Sequence, residues 1–506
     1  MKARSLIASF AIVFILLLTA LCPLPSAAQK KNKKKKTAAP VATDTQQPPA
    51  ASPVAPASTA PAASSASAPA ADTSPKAVAA PAAKVAPAAT VAPVNPEKDP
   101  QREAWRINVE PYAILGSGRP GKTVSDFDKP DGVAFTPQGL LLATDAKNHR
   151  VQVWDVKTKM HLGEFGHGIL GGEVVDVAVA PDGTVLVTDQ ILNLAYAFVP
   201  PAPGEKDEKG KPLGPYDYVF KGTRFGERHF DKLGGIAIDS KGRIYAVDAH
   251  LNEVFRYTPD GANDSTWKFA KQRMDGETYL HGCEGIAIDE AAGNIYIASE
   301  KDFVIQVFDW ETGTYKGKLI GAGSDGSGKT SGKSIFSGSV EGLAIAGKTL
   351  FAVDESVGHI QIFDLNGTGA FNRDLVSLSS GARSRKAGYL GFVGHSPQVD
   401  FEDKTNKALQ QQVKDGAIIP GQANPPGYFC SPDSIAAHTV AGETYIAIAD
   451  QCNYRLAVYR WSDISRALNS TAAAATPKAT STATKTPAAD PAAKGGKKKG
   501  GKKKSA

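Results

Sequence analysis

The chain has 506 residues, 22% of them charged, with four cysteines and a formal net charge of +7. Lys30, Lys31 and Lys33 to Lys36 supply six positive charges and Lys494, Lys497 to Lys499 and Lys502 to Lys504 seven more, so thirteen lysines in two tracts leave about −6 for everything else. A mildly acidic body argues against a folded nucleic-acid surface, which would be basic, and no C-x-x-C, H-E-x-x-H or clustered histidine spacing suggests zinc.

Taken from the start, Met1-Lys2-Ala3-Arg4 precede the uncharged run "SLIASFAIVFILLLTALCPL", and Ser26-Ala27-Ala28 before Gln29 has the small-x-small form of a signal-peptidase site. Residues 1–28 are therefore expected to be a signal peptide and the mature chain to be exported, periplasmic or extracellular. No later apolar stretch is long enough to span a bilayer. Residues 29–104 are lysine-rich, then Ala/Pro-rich, and residues 466–506 return to that composition. Neither arm can bury enough apolar area to offset chain entropy, so both are expected to be disordered. Their lysines either contact anionic cell-surface polymers or serve as solvated spacers. The folded part is expected to span 105–465.

Within it, six segments align: "DGVAFTPQGLLLATD" from Asp131, "VDVAVAPDGTVLVTD" from Val175, "GGIAIDSKGRIYAVD" from Gly234, "EGIAIDEAAGNIYIASE" from Glu284, "EGLAIAGKTLFAVD" from Glu341 and "DSIAAHTVAGETYIAIAD" from Asp433. Each is an apolar strand with a central alanine, a turn, a second apolar strand and a terminal acid. A third strand follows in most copies, as in "RVQVWD", "VIQVFD" and "HIQIFD". Period-two alternation with turn residues between runs gives antiparallel strands, and repeats of about 40–60 residues with up to four strands give propeller blades. The expected fold is all-β, a six-bladed β-propeller. "INVEPYAILG" adds the outer strand of the sixth blade and closes the ring.

The repeat, "PDGVAF…LLLATDAKNHRVQVWD" most clearly, resembles the NHL type of propeller repeat. A narrower resemblance, to β-propeller phytases and phytase-like proteins, is carried by "GCEGIAIDEAAGNIYIASE" at 282–300, "VEGLAIAGKTLFAVDES" at 340–356 and "YIAIADQCNYRLAVYRWSDI" at 445–464. It implies calcium-dependent hydrolysis of phosphate monoesters such as inositol hexakisphosphate, with Glu284 matching the metal-binding glutamate of the C-E-G motif, Glu300 the acid ending the next strand and Glu341 the E-G glutamate of the following blade. The chain departs from that pattern at Ser339, where the family has an acid, at "KPDGVA", which retains only Asp131 of a paired aspartate, and at Gln190, where the family carries a substrate arginine.

In a propeller the start of each first strand and the end of each second strand share one face. That face therefore gathers Asp131, Glu284, Glu341 and Asp433 with Asp145, Asp189, Asp248, Glu300, Asp354 and Asp450. The second-strand acid recurs in every blade and is read as structural, accepting turn N–H groups. The first-strand acid is replaced by Val175 and Gly234 in two blades. That asymmetric inner ring, Glu284, Glu341, Asp433 and Asp131 with help from Glu300, either holds a cation, with Ca²⁺ the natural ion, or is kept apart by hydrogen bonds to backbone and water.

"GSDGSGKT" at 323–330 has the letters of a phosphate loop, but the flanking segments are strands and the required helix is missing, so no nucleotide is expected there. Its Lys329 and Lys333, with Arg383, Arg385 and Lys386 in a second long connection, are the candidate phosphate-binding residues. That connection also contains "DFEDKTNKALQQQVKDG", a short surface helix. Cys430 and Cys452 are expected to form a disulfide, because the strand ends carrying them lie together, and Cys283 to be buried and reduced. The function classes that follow are a calcium-dependent phosphatase acting on a small phosphorylated substrate, a non-catalytic propeller binding an extracytoplasmic protein or polysaccharide, and a lactonase-like hydrolase.

Overall fold

The computed structural model describes residues 103, 105–226, 230–272, 279–319, 336, 339–366 and 388–475. The signal peptide, both lysine tracts, the 323–330 loop, Lys329, Lys333, Arg383, Arg385 and Lys386 lie outside those residues.

The strands form six antiparallel sheets arranged as blades. Blade 1 is β2 (Pro130–Phe135), β3 (Leu140–Asp145), β4 (Arg150–Asp155) and β5 (Met160–Phe165); blade 2 is β6 (Val174–Val179), β7 (Val185–Asp189), β8 (Leu194–Val199) and β9 (Val219–Gly226). Blade 3 shows three strands among the described residues, β10 (Leu233–Ile238), β11 (Ile244–Asp248) and β12 (Glu253–Tyr257). Blade 4 is β13 (Cys283–Asp289), β14 (Asn294–Ser299), β15 (Val304–Asp309) and β16 (Tyr315–Leu319), and blade 5 is β17 (Val340–Ala346), β18 (Thr349–Asp354), β19 (His359–Asp364) and β20 (Tyr389–Val393). Blade 6 is β21 (Pro432–Val440), β22 (Glu443–Asp450) and β23 (Arg455–Arg460), completed by β1 (Ala113–Leu115) from the other end of the chain. β1 pairs with β23 in the register Ala113 to Val458 and Leu115 to Leu456, so the ring closes as the sequence predicts.

The core is distributed between blades. Each pair of neighbours shares one apolar cluster, such as Leu142, Val153, Val177 and Val187 between blades 1 and 2 and Tyr245, Val247, Ile286 and Ile297 between blades 3 and 4. Near the axis the first strands approach so closely that side chains must shrink. A Cβ on Gly285 would lie 2.1 Å from the Glu341 carbonyl oxygen, and one on Gly235 2.2 Å from that of Glu284. This crowding explains the glycine that follows the inner-ring position in four of the six blades.

The long connection into blade 6 carries α1 (Lys407–Lys414), within the helix expected there, and a single turn α2 (Pro420–Ala423). Cys430 and Cys452 are joined in a disulfide with Cα atoms 5.3 Å apart, and Cys283 is a buried free thiol. A third helix, α3 (Trp461–Ala475), runs past residue 465, where the folded part was expected to end. The alanine run favours helix, and Ile464 and Leu468 anchor it against blades 5 and 6. Among the described residues no helix is long and apolar enough to cross a membrane.

Candidate functional site at the channel mouth

Register places the site. In every blade the first residue of the inner strand faces the last residue of the second strand: Pro130 with Asp145, Val174 with Asp189, Leu233 with Asp248, Cys283 with Ser299, Val340 with Asp354 and Pro432 with Asp450. The register then shifts, and the next residue of each inner strand, Asp131, Val175, Gly234, Glu284, Glu341 or Asp433, lines one cavity at the channel mouth. The strand-end acids stay behind it, fully buried. Asp145 accepts the Asp128 N–H at 2.7 Å, Asp189 that of Gly172 at 2.9 Å, Asp248 that of Asp231 at 2.6 Å and Asp450 that of Cys430 at 2.8 Å. These four bind blades 1, 2, 3 and 6 to the loops entering them.

Blade 4 corrects the sequence alignment. Its residue in the strand-end position is Ser299, whose Oγ accepts the His281 N–H at 2.9 Å. Glu300 is the next residue along, opening a 3-10 turn, and it faces the mouth. The extra residue in the "DEAAGN" hairpin hid this shift from the alignment. The same post-strand position supplies Gln190 and Glu355 to the mouth and Gln451, whose amide donates to Asp433 at 3.0 Å.

Three further groups escaped sequence reasoning. Asp176 lies one residue beyond the inner-ring position of blade 2, where other blades have glycine or serine, and it accepts the Val177 N–H at 2.8 Å and the Ile236 N–H of the next blade at 2.9 Å. Lys129 and Lys232 each stand two residues before the inner-ring position. Lys129 reaches Asp131 at 3.2 Å and Glu173 at 2.8 Å, and Lys232 reaches Glu284 at 2.8 Å. Paired lysines spaced in this way were the available signal.

The mouth thus carries seven carboxylates, Asp131, Asp176, Glu284, Glu300, Glu341, Glu355 and Asp433, against two ammonium groups, around a cavity of about 240 Å³. Burial works against the Lys129 charge, but Asp131 and Glu173 outweigh it and hold the ammonium well above its ordinary value. The carboxylates show the opposite strain. Burial pushes Asp131 up to about 6 and Asp176 up to about 7. Burial, then Glu284, Glu355 and Glu300, raise Glu341 well above the usual range; burial, then Asp131, Glu341 and Glu355, do the same for Asp433. Glu300 and Glu355 are raised as well, with burial first. These are acids short of positive charge.

The donor set is all hard oxygen and suits a cation such as calcium or magnesium. The mouth carboxylates nonetheless do not bring three ligand atoms within 4.8 Å of one another among the described residues. Among the described residues, the group of three ligand-type side chains with atoms within 4.8 Å of one another is Asp400 with Cys430 and Cys452, whose sulfurs are already joined.

The NHL repeat family model matches residues 127–154, which span β2 to β4. Over 153 residues the chain is 28% identical to peptidyl-glycine alpha-amidating monooxygenase A of Xenopus laevis, covering 30% of this chain and 15% of that protein. Over 143 residues it is 29% identical to the peptidylglycine alpha-amidating monooxygenase of Rattus norvegicus, covering 28% of this chain and 13% of that protein. The matched stretch is thus a small part of either relative. Among solved structures, a structural genomics protein of unknown function from Bacteroides thetaiotaomicron superposes with a TM-score of 0.42 at 14% identity, covering 68% of this chain and 76% of that one. Streptogramin B lyase gives 0.39 at 11% identity, covering 67% and 96%. The chain carries an NHL repeat within a six-bladed β-propeller.

Proposed function

We propose that this chain is an exported propeller whose channel mouth binds a divalent cation, calcium first, and through that cation a small anionic group. The observation that carries the reading is the excess of seven carboxylates over two ammonium groups around one cavity, with six of the seven held above their ordinary range. Glu284, Glu341 and Asp433, with Asp131 and Glu300, would hold the ion; at bond lengths of about 2.3–2.6 Å they must swing inward from their present spacing. When bound, the ion supplies positive charge that polarises a phosphoryl or carboxyl oxygen. Lys129 and Lys232 then orient the anion from the blades 1 and 3 side.

Size bears on the ligand. The cavity of about 240 Å³ is below the range of roughly 300–1,000 Å³ usual for small-molecule sites, so it suits one phosphate or carboxylate group better than a whole hexakisphosphorylated ring. A phytase-like phosphomonoesterase acting on one exposed phosphate fits, and so does a non-catalytic anion-binding propeller. The names of the curated relatives favour a second ligand class, a peptide ending in glycine, whose terminal carboxylate is an anion of suitable size.

The test is calorimetric titration of the chelator-treated full chain with calcium and magnesium, beside Glu341→Gln and Asp433→Asn. Calcium-dependent release of phosphate from inositol hexakisphosphate and calcium-dependent binding of a glycine-ended peptide are then measured in parallel. Calcium binding weakened about tenfold or more in both variants supports the site. No heat, and a melting temperature indifferent to calcium, removes it.

A further inference from the structure

The face opposite the mouth holds a second cavity, of about 200 Å³, between the inner hairpins of blades 2 and 3. Its apolar wall is formed by Pro181 and Leu186 from blade 2 with Ile238, Ile244 and Pro259 from blade 3, and Asp182, Thr184 and Ser240 add polar groups. Two cations, Arg224 of β9 and Lys241, stand in the lining, and the Arg224 Nε is buried with no hydrogen-bond partner among the described residues.

Comparison of the blades shows why the cavity exists. The residue that follows each third strand is Val156, Pro200, Thr258, Trp310, Leu365 or Trp461 in blades 1 to 6. In blades 4 and 6 this residue is a tryptophan that plugs the hairpin end of the preceding blade. Trp310 donates Nε1–H to Asp239 of blade 3 at 3.2 Å under the side chains of Lys241 and Arg243, and Trp461 meets the Phe351 ring of blade 5 edge-on with centroids 5.7 Å apart. Val156 and Leu365 pack into the corresponding apolar clusters. Blade 3 has Thr258 instead, whose hydroxyl is occupied within its own turn by Ala262. The plug is missing where the hairpin of blade 2 would receive it, and the space is left open.

The remaining charges around the cavity are accounted for. Lys241 is engaged by Glu311 at 2.7 Å and by the Trp310 ring. Asp182 spends Oδ1 on the Thr184 N–H at 2.9 Å, and exposed Asp260, which feels the Arg224 charge, accepts from Thr258. Arg224 keeps a buried donor without an acceptor, a costly arrangement that a planar anion relieves with paired N–H bonds. An apolar wall beside a guanidinium whose buried Nε–H lacks an acceptor supplies the recognition elements for an amphipathic anion.

We infer that the inter-blade cavity lined by Arg224, Leu186 and Ile244 is a binding site for a small amphipathic anion, a carboxylate on a short apolar chain. The carboxylate pairs with Arg224 and the chain takes the place of the missing aromatic plug. At about 30 Å³ per water-sized volume, the cavity takes roughly six or seven non-hydrogen atoms, room for the carbon chain of a six-carbon acid with its two oxygens turned to the Arg224 guanidinium.

The experiment is ligand-observed saturation-transfer NMR on the full chain with three probes of equal length, sodium hexanoate, hexanol and hexylammonium chloride, repeated on Arg224→Met and Thr258→Trp. Wild type is expected to prefer hexanoate to the other two by about tenfold. Arg224→Met should erase that preference while keeping the fold, and Thr258→Trp should displace all three probes by filling the space. Equal affinity for the three head groups, no saturation transfer to hexanoate at millimolar concentration, or a preference for hexanoate that survives Arg224→Met would overturn the assignment. Because the mouth lies on the other face, added calcium should change none of these readings.

Discussion

Lys232 Nζ donates to Glu284 Oε1 at 2.8 Å across the boundary between blades 3 and 4. The lysine thereby occupies the carboxylate that the sequence pattern marks as the first cation ligand. An ammonium group and a divalent ion compete for the same oxygen, so Lys232→Met should tighten calcium binding. One charge near contact distance is worth up to about 4 kcal/mol at an effective dielectric constant of 20 and less at an open mouth, and a gain of about tenfold in affinity is expected. Calorimetry that found weaker or unchanged binding would show that Lys232 does not compete with the ion.

How much of this was legible beforehand follows from the geometry of repeats. Six blades, the closing strand and the inner acids Asp131, Glu284, Glu341 and Asp433 can be read because a period-two pattern repeated six times survives local variation. Asp176 was hidden by one residue, since the alignment at Val175 looked like a loss of the acid when the acid had moved into the glycine position. Glu300 was assigned to the strand-end ring because blade 4 has an extra hairpin residue and uses Ser299 there. Glu355 follows a strand-end aspartate and reads as an ordinary surface acid until the turn folds it inward. The candidate phosphate-binding lysines and arginines fall outside the described residues, so the basic side of the mouth rests on Lys129 and Lys232.

Asp176 sets a pH dependence. Its folded-state value of about 7 is above the ordinary aspartate value of 3.8, so the folded protein binds the proton more tightly than the unfolded chain does. Stability therefore falls as pH rises from about 4 to about 7 and carries the full penalty above that. Asp131, pushed up to about 6, acts in the same direction. His161 and His395, whose values burial lowers, act oppositely as pH drops below 6.5. Asp176→Asn cancels the histidine terms in the comparison with wild type. The variant should be more stable by about 1–3 kcal/mol at pH 7.5, with the difference shrinking toward pH 5. Urea titrations at the two pH values decide it, and a pH-independent difference would locate the strain elsewhere.

Arg455 is almost fully buried and ties blade 6 to the connection that precedes it. Its Nε donates to Asp450 at 2.8 Å, and its terminal nitrogens donate to the carbonyls of Gly421, Asn424, Pro425 and Tyr428 at 2.7, 2.8, 3.1 and 2.9 Å. Arg455→Met leaves Asp450 buried with its charge partner removed, which costs about 3–5 kcal/mol. Lys at this position should recover little, because an ammonium cannot reproduce the five-bond fork. A loss below about 1 kcal/mol in chemical denaturation would mean that Asn453, which also donates to Asp450 at 2.9 Å, is sufficient.

The Cys430 to Cys452 bridge closes a loop of 22 residues around the first two strands of blade 6. Bridging a loop of that length restricts the unfolded chain by about 3 kcal/mol in the entropic account. The bridge is not the only bond there: the Cys452 N–H donates to the Cys430 carbonyl at 3.1 Å, and both cysteines pack with Phe401 and Leu409. The Cys430→Ala, Cys452→Ala double variant should therefore remain folded, with a stability loss of about 3 kcal/mol. Ser431, next to the bridge, donates to Glu355 at 2.6 Å, so the loss should also loosen one wall of the mouth. Calcium affinity in the double variant is expected to change by no more than a few-fold, because Glu284, Glu341 and Asp131 come from other blades. A collapse of calcium binding together with retained folding would place the ion beside Glu355, on the blade 6 side, instead of between Glu284 and Asp433.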